Sequence, residues 1–148
     1  MSDPGDLRPN EQAVELEPAV DATVRFIGTI RTPWRDRKDC PRQGRTDGPE
    51  CQLVLDPVWH DGLQGLEEYD SIEVLYWLDQ SRRDLVRQSP RSDGQTFGTF
   101  ALRSPVRPNP IGTSMVKLVR VEKGTLIVRG LDCLDGTPLL DIKPDRCA

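Results

Sequence analysis

The sequence predicts an all-β fold, a small single-domain β-barrel with short helical insertions. Three observations support this prediction: short runs of β-branched and aromatic residues recur at regular spacing, glycine and proline separate them, and no long amphipathic helical pattern occurs. A chain of 148 residues is long enough for one domain with its own core. A β-sandwich would give similar signals, and we favour the barrel.

Seven strands are predicted, at residues 24–30, 52–55, 71–78, 97–103, 114–122, 125–132 and 138–142. The first strand is predicted to end before Pro33, because proline has no backbone N–H to donate to a sheet ladder. Residues 71–78 are apolar on both faces, which places this strand in the middle of the sheet and Trp77 in the barrel interior. Lys123-Gly124 and Asp135-Gly136 form tight turns between the later strands.

Two segments between the strands are predicted to differ from them. Residues 57–66 favour a turn or two of helix, with Asp56 as N-cap and Pro57 at the first helical position. Residues 79–93 are polar and charged, which predicts a mobile loop, although 81–88 has the propensity for a short helix.

The first 23 residues predict an acidic, disordered leader, and residues 24–148 the folded domain. Six acidic side chains and one arginine occur among the first 24 residues, with no aromatic residue, so the remaining chain carries a net charge of +1. The leader lacks the apolar stretch of a secretory signal, and no run is long enough to span a membrane. We therefore expect a cytoplasmic protein.

Arginine is concentrated in two clusters outside the leader. Arginine suits phosphate recognition, which favours a nucleic-acid partner, but a merely solvated surface has the same composition. The first cluster is Arg31, Arg35, Arg37, Lys38, Arg42 and Arg45, and the second is Arg82, Arg83, Arg87, Arg91, Arg103 and Arg107. Trp34 lies beside the first cluster and is the candidate to stack on a base.

The cysteine pattern predicts reduced thiols and no metal. Cys40, Cys51, Cys133 and Cys147 form no Cys-x-x-Cys pair, and His60 is the one histidine. The chain also lacks a glycine-rich turn between a strand and a helix, so the dinucleotide-type cofactor site of the common methyltransferase architecture is excluded.

A stiff, proline-rich run at 100–112 is the most unusual feature of the sequence. Three prolines fix backbone angles in it and restrict the residues before them. The backbone is therefore restricted before any ligand binds, and little of its conformational entropy remains to be lost on binding. A preorganised binding site requires this, and the residues that the run would present are Arg103, Arg107 and Asn109. The alternative is a rigid β-arch whose arginines cap backbone carbonyls.

A second notable run, LDCLDGTPLLDIKP, occupies 131–144. Asp-Gly followed by Thr-Pro is a turn signal, and turn chemistry alone explains Asp135 and Gly136. The same turn presents a carboxylate that can accept hydrogen bonds from ribose hydroxyls or an adenine amine.

These runs together resemble the TsaA-like, or TrmO, family over residues 24–144. The residues that carry the resemblance are IGTIRTP at 27–33, CPRQ at 40–43, GLE at 65–67, RSPVRPNPIG at 103–112, LDGTP at 134–138 and DIKP at 141–144. The resemblance implies a homodimeric, non-Rossmann methyltransferase. It implies S-adenosylmethionine as cofactor and, as substrate, the exocyclic nitrogen of threonylcarbamoyl-modified adenosine beside the anticodon of a tRNA, with threonine tRNA expected.

The resemblance also implies the site residues. It assigns the cofactor to Pro41, Arg42, Gln43, Asp79, Gln80, Arg103, Thr113, Leu134, Asp135, Gly136 and Thr137. Asp135 is the carboxylate to test as proton acceptor, although cofactor binding suits it better. For Arg107 and Asn109 we predict contacts to the substrate, either a tRNA phosphate or the threonyl carboxylate.

Two positions depart from the family pattern. The polar pair after the central strand often begins with histidine, whereas here it begins with Asp79. After DIKP the family usually continues with an aromatic residue and further prolines, but this chain reads DRCA, and an additional C-terminal domain is not expected. Two alternatives stay open: a noncatalytic S-adenosylmethionine-binding regulatory barrel, and a methyltransferase of a substrate other than tRNA.

Overall fold

The computed structural model describes residues 6–18 and 20–146. The chain divides into two compact units. We call the described residues of Met1–Thr23 and Leu78–Ile111 the loop unit, and those of Val24–Trp77 and Gly112–Ala148 the barrel unit.

The described residues form nine strands and four short 3-10 helices. The strands are β1 (Gln12–Ala13), β2 (Gly28–Arg31), β3 (Glu50–Leu55), β4 (Ser71–Trp77), β5 (Leu85–Gln88), β6 (Phe97–Gly98), β7 (Ile111–Glu122), β8 (Thr125–Arg129) and β9 (Pro138–Pro144). The 3-10 helices are Arg37–Asp39, Pro57–Leu63, Leu66–Glu68 and Thr99–Ala101. No helix of these residues is long and apolar enough to cross a membrane.

The barrel unit is built around a closed six-stranded barrel with the strand order β2-β3-β8-β7-β4-β9, which confirms the predicted fold class. Side chains alternate between the interior and the outside, as the two-residue period of a strand requires. Its core is aliphatic, and the fully buried side chains include Ile30, Leu53, Val74, Leu126 and Leu139.

Strand β4 shows how the alternation sets the interior. Ile72, Val74 and Tyr76 are buried, whereas the residues between them are half-buried. The prediction of Trp77 in the interior is wrong for this reason, because Trp77 is one residue out of phase and is half-buried. Tyr76 occupies the interior instead, and its hydroxyl therefore needs a polar partner.

The loop unit contains a three-stranded sheet in the order β1-β5-β6. The prediction of a mobile loop or a short helix over 79–93 is wrong at Leu85–Gln88, which forms the central strand. The predicted strand over 97–103 is shortened to Phe97–Gly98, because the chain turns into a 3-10 helix in which the buried Thr99 donates its hydroxyl to the Leu85 carbonyl at 2.7 Å.

Part of the predicted leader packs on this sheet through polar contacts. The Glu11 carboxylate accepts a hydrogen bond from the backbone N–H of Ser89 at 2.8 Å, and the Arg8 guanidinium donates to the Ser89 carbonyl at 2.8 Å. Composition did not predict this, since the ladder partner of β1 lies more than 70 residues further along the chain. Residues 1–5 and 19 of the leader lie outside the described residues.

Candidate functional site

The turn after β8 is hydrogen-bonded to the end of β2 and to the segment that follows it. The backbone N–H of Asp135 donates to the Trp34 carbonyl at 2.7 Å, and that of Gly136 donates to the Ile30 carbonyl at 2.8 Å. Gly136 has a φ of 85°, which favours glycine. The turn that carries the predicted cofactor residues is therefore a fixed part of the barrel unit.

The Asp135 carboxylate contributes to this fastening. One oxygen accepts from the Thr32 backbone N–H at 3.1 Å, and the other lies 3.4 Å from the Arg31 guanidinium. These contacts favour the turn interpretation of Asp135 and leave the carboxylate less free to accept a proton from a substrate. Its assignment as proton acceptor stays a prediction.

We expect Asp135→Ala to lower the free energy of unfolding by about 1–2 kcal/mol, because the half-buried Thr32 N–H loses its acceptor. Urea denaturation of the variant and the parent protein measures this. Asp61→Ala is the matched control, since Asp61 is exposed and its carboxylate makes no hydrogen bond within the described residues. Equal stability of all three proteins would contradict the fastening role.

A second carboxylate, Asp132, lies in a hydrogen-bonded network on the same unit. The Tyr76 hydroxyl donates to Asp132 Oδ1 at 3.2 Å and lies 2.8 Å from Ser114 Oγ, from which it can accept. The backbone N–H of Gly44 also hydrogen-bonds the Asp132 carboxylate. Asp132 thus joins β4, β7 and the loop that contains Gly44.

Burial raises the pKa of the Asp132 carboxyl, and the hydrogen bonds from Tyr76 and Gly44 offset part of that rise. Burial also raises the pKa of Tyr76 far above its ordinary value, so its hydroxyl stays protonated as a donor. No lysine or arginine of the described residues forms an ion pair with Asp132. A half-buried negative charge without a counter-ion is energetically costly.

Two glycines allow the close packing around this network. A Cβ at Gly44 would lie 1.8 Å from the Gly130 carbonyl oxygen, so the loop with Pro41, Arg42 and Gln43 sits directly against the end of β8. A Cβ at Gly112 would lie 2.2 Å from the Tyr76 ring, which therefore covers the backbone beside Thr113. Larger residues would separate these segments.

The predicted cofactor residues fall on both units. On the barrel unit, three segments meet around Asp132: the loop with Pro41, Arg42 and Gln43, the start of β7 with Thr113, and the turn with Leu134, Asp135, Gly136 and Thr137. Arg42, Gln43, Thr113 and Gly136 are exposed, whereas the buried Thr137 donates its hydroxyl to the Leu134 carbonyl at 2.7 Å. Asp79, Gln80, Arg103, Arg107 and Asn109 belong to the loop unit.

In the loop unit the arginines of the proline-rich run differ in their contacts. The Arg107 guanidinium donates to the carbonyls of Leu102 at 2.8 Å and Ser104 at 2.9 Å, and Arg83 Nε donates to the Pro108 carbonyl at 2.6 Å. Carbonyl capping, the alternative role for these arginines, is therefore observed at Arg107, and its substrate contact stays a prediction. Arg103 is exposed and makes no hydrogen bond or ion pair with another described residue.

Sequence analysis missed Asp132, Tyr76 and Ser114. The sequence pattern places Asp132 at the end of a predicted strand and Tyr76 among the apolar residues of a predicted core strand. A signal was available at Tyr76, since a buried phenol requires a hydrogen-bond partner. The identity of that partner was not visible, because Asp132 is 56 residues away.

Other features of the described residues do not add to this site. An open depression of about 450 Å³ is lined by other residues, including His60, Glu67 and Lys123. Cys40, Cys51 and Cys133 are free thiols, and Cys147 lies outside the described residues. No group of three or more His, Cys, Asp or Glu side chains within the described part of the chain could hold a metal ion, and the absence of a metal stays a prediction.

The family model of the tRNA-methyltransferase O N-terminal domain matches residues 29–145. The chain is 58% identical over 140 residues to a probable S-adenosyl-L-methionine-binding protein, VirR, of Rhizobium radiobacter. That match covers 95% of this chain and 80% of the relative. It is 36% identical over 129 residues to the tRNA (adenine(37)-N6)-methyltransferase of Escherichia coli, covering 80% of this chain and 55% of that enzyme.

The structure is similar to the crystal structure of TrmO from Pseudomonas aeruginosa, with a TM-score of 0.70 and 36% sequence identity. The match covers 85% of this chain and 56% of the TrmO chain. The chain thus spans little more than half the length of the solved TrmO chain and of the Escherichia coli enzyme.

Proposed function

This chain belongs to the TrmO family, and on that premise we propose that it is an S-adenosylmethionine-dependent tRNA methyltransferase that acts on the N6 nitrogen of an adenosine. The observation that carries the proposal is the family match over residues 29–145, which includes every position assigned to the cofactor. Relatives named as S-adenosylmethionine-binding proteins and as a tRNA (adenine(37)-N6)-methyltransferase support it. We further propose the threonylcarbamoyl-modified adenosine next to the anticodon of threonine tRNA as substrate, and a cytoplasmic homodimer as the active form.

The barrel unit contains a carboxylate suited to the positively charged groups of the cofactor. S-Adenosylmethionine carries a sulfonium and an ammonium, and the Asp132 carboxylate is half-buried without a cationic partner among the described residues. The residues proposed to hold the cofactor are Pro41, Arg42, Gln43, Thr113 and Leu134 to Thr137 of the barrel unit and Asp79, Gln80 and Arg103 of the loop unit. Bound there, the cofactor would supply an electrophilic methyl group on a positively charged sulfur.

The protein's part in such a transfer is positioning. A methyl transfer needs the acceptor nitrogen in line with the methyl carbon and the sulfur, so holding the reactants accounts for much of the rate. The fastened turn and the loop packed on Gly130 provide rigid backbone for this purpose. No protein nucleophile is required.

The substrate contacts are proposed from the exposed arginines. Arg35, Arg42 and Arg45 of the barrel unit and Arg87, Arg91 and Arg103 of the loop unit are exposed and suited to phosphate. Arg107 and Asn109 are kept as proposed contacts, although two bonds of the Arg107 guanidinium already hold its own loop. Phosphate contacts would make tRNA affinity fall steeply as salt is added.

The experiment is nucleoside mass spectrometry. Unfractionated tRNA that carries threonylcarbamoyladenosine but lacks its methylated form is incubated with the purified protein and S-adenosylmethionine, and the nucleosides are analysed. We expect one added methyl group on threonylcarbamoyladenosine, and none when the cofactor is omitted. A methyl group on unmodified adenosine would contradict the threonylcarbamoyl requirement.

The same experiment separates the alternatives. Cofactor binding without any new nucleoside would favour a noncatalytic S-adenosylmethionine-binding barrel. The Rhizobium radiobacter relative is named as a protein that binds this cofactor, without mention of catalysis. Turnover that requires a substrate other than tRNA, together with weak dependence on salt, would favour the other alternative.

A further inference from the structure

Asp132 is a half-buried carboxylate that forms no ion pair with any residue that the structure describes. Asp135, three residues later, faces Arg31, whereas the hydrogen bonds to Asp132 come from neutral groups: the Tyr76 hydroxyl and the backbone N–H groups of Gly44 and Asp132 itself. The network holds the carboxylate in place without neutralising it. A half-buried charge of this kind gains most from a cation that arrives with a ligand.

The proposed cofactor and its product differ in one charge. S-Adenosylmethionine has a positive sulfonium, whereas the S-adenosylhomocysteine left after methyl transfer has a neutral thioether, and both share the ammonium, ribose and adenine. We propose that Asp132 is a specificity-determining residue that makes the site prefer the charged, methyl-bearing cofactor over its neutral product. This inference rests on the proposed function and deepens it.

The groups that hydrogen-bond with Asp132, and the thiol next to it in the chain, are neutral. Tyr76 of β4 and Ser114 of β7 are neutral, and burial raises the pKa of Cys133 to about 12, so that thiol is also neutral near pH 8. Burial, and after it the negative charge of Asp132, raises the pKa of Cys40, on which the opposite charges of Asp39 and Arg37 also act. Asp132 is therefore the negative charge held within this network, and Asp39 and Arg37, which act beside it on Cys40, are opposite in sign.

The first test compares three ligands. Isothermal titration calorimetry gives the Kd values of S-adenosylmethionine, S-adenosylhomocysteine and sinefungin, an analogue with an amine at the place of the sulfonium, for the parent protein and Asp132→Asn. We expect the variant to lose about tenfold or more in affinity for the two charged ligands and under about threefold for the thioether. Equal losses for all three ligands, or none, would overturn the inference.

Asp61→Asn is the control, because it removes an exposed carboxylate from the same unit. If the parent protein binds none of the three ligands, the proposed function fails. If the parent protein binds the ligands and Asp132→Asn lowers the affinity for all three by the same factor, only the inference fails.

A second variant keeps the charge. Tyr76→Phe removes a hydrogen bond that lowers the pKa of the Asp132 carboxyl, so that pKa rises further. Binding of the charged cofactor requires the ionised carboxylate, which is present above its pKa and lost as the pH falls through it. Affinity for S-adenosylmethionine should therefore begin to fall at a higher pH in Tyr76→Phe than in the parent protein.

The affinity for S-adenosylhomocysteine provides the internal reference for this pH series. We expect no difference between the two proteins in its acid dependence, since the thioether carries no charge for Asp132 to recognise. Coincident pH curves for S-adenosylmethionine in the parent protein and Tyr76→Phe would overturn the inference even if Asp132→Asn failed to fold.

Discussion

Replacement of Gly44 by alanine is expected to lower the affinity for S-adenosylmethionine by at least about 100-fold and the free energy of unfolding by about 2–3 kcal/mol. The new Cβ would lie 1.8 Å from the Gly130 carbonyl oxygen and 2.4 Å from its carbonyl carbon. Both are backbone atoms, so no side-chain rotation relieves the overlap. The loop must move away, and it takes Pro41, Arg42 and Gln43 with it.

Calorimetric titration and urea denaturation measure the two effects. The control is Gly62→Ala, because a Cβ at Gly62 meets no atom within 4 Å and Gly62 has no positive φ. If Gly44→Ala bound the cofactor as the parent protein does, the loop at 41–43 would have no part in the site.

For Arg103→Ala we expect a loss of about 10- to 100-fold in cofactor affinity with an unchanged melting temperature. A charged hydrogen-bond donor contributes about 1.5–3 kcal/mol to a bound partner. Arg103 is exposed and makes no hydrogen bond or ion pair with another described residue, so its removal leaves the fold intact. Titration calorimetry and thermal unfolding give the two quantities.

Arg25→Ala serves as the comparison, since Arg25 is an exposed arginine outside the proposed site. Arg103→Lys separates charge from geometry, because lysine keeps the charge and loses the planar fork, and an intermediate affinity is expected. An unchanged affinity in Arg103→Ala would remove this residue from the site.

The barrel was predictable from the sequence because its strands carry local information. β8 has an apolar centre, Leu126 to Val128, and the turns before β8 and β9 contain glycine at positions with positive φ, namely Gly124 and Gly136. The sheet of the loop unit was not predictable in the same way. β5 is only four residues long and lies in a polar, charged stretch, and it forms a strand because β1 and β6 pair with it from either side.

In the candidate site, too, the residues in contiguous motifs were predictable, whereas those joined by long-range hydrogen bonds were not. Pro41 to Gln43 and the turn at 134–137 stood out as contiguous motifs, and the structure gives each of them a fixed backbone. The Asp132 network joins two strands and a loop that are distant in sequence, and no local pattern indicates such a pairing. Long-range hydrogen bonds of this kind become visible only once the barrel closes.

Strand β1 has a consequence for solubility that follows from its position at the edge of its sheet. It covers one side of β5 with backbone hydrogen bonds, and acidic residues surround it in the chain. Without residues 6–18, β5 would expose unpaired N–H and C=O groups beside the exposed Val86, a template on which strands of other molecules can add. β1 thus protects β5 from pairing with other molecules. We expect a chain without residues 6–18 to aggregate more readily through intermolecular β-pairing.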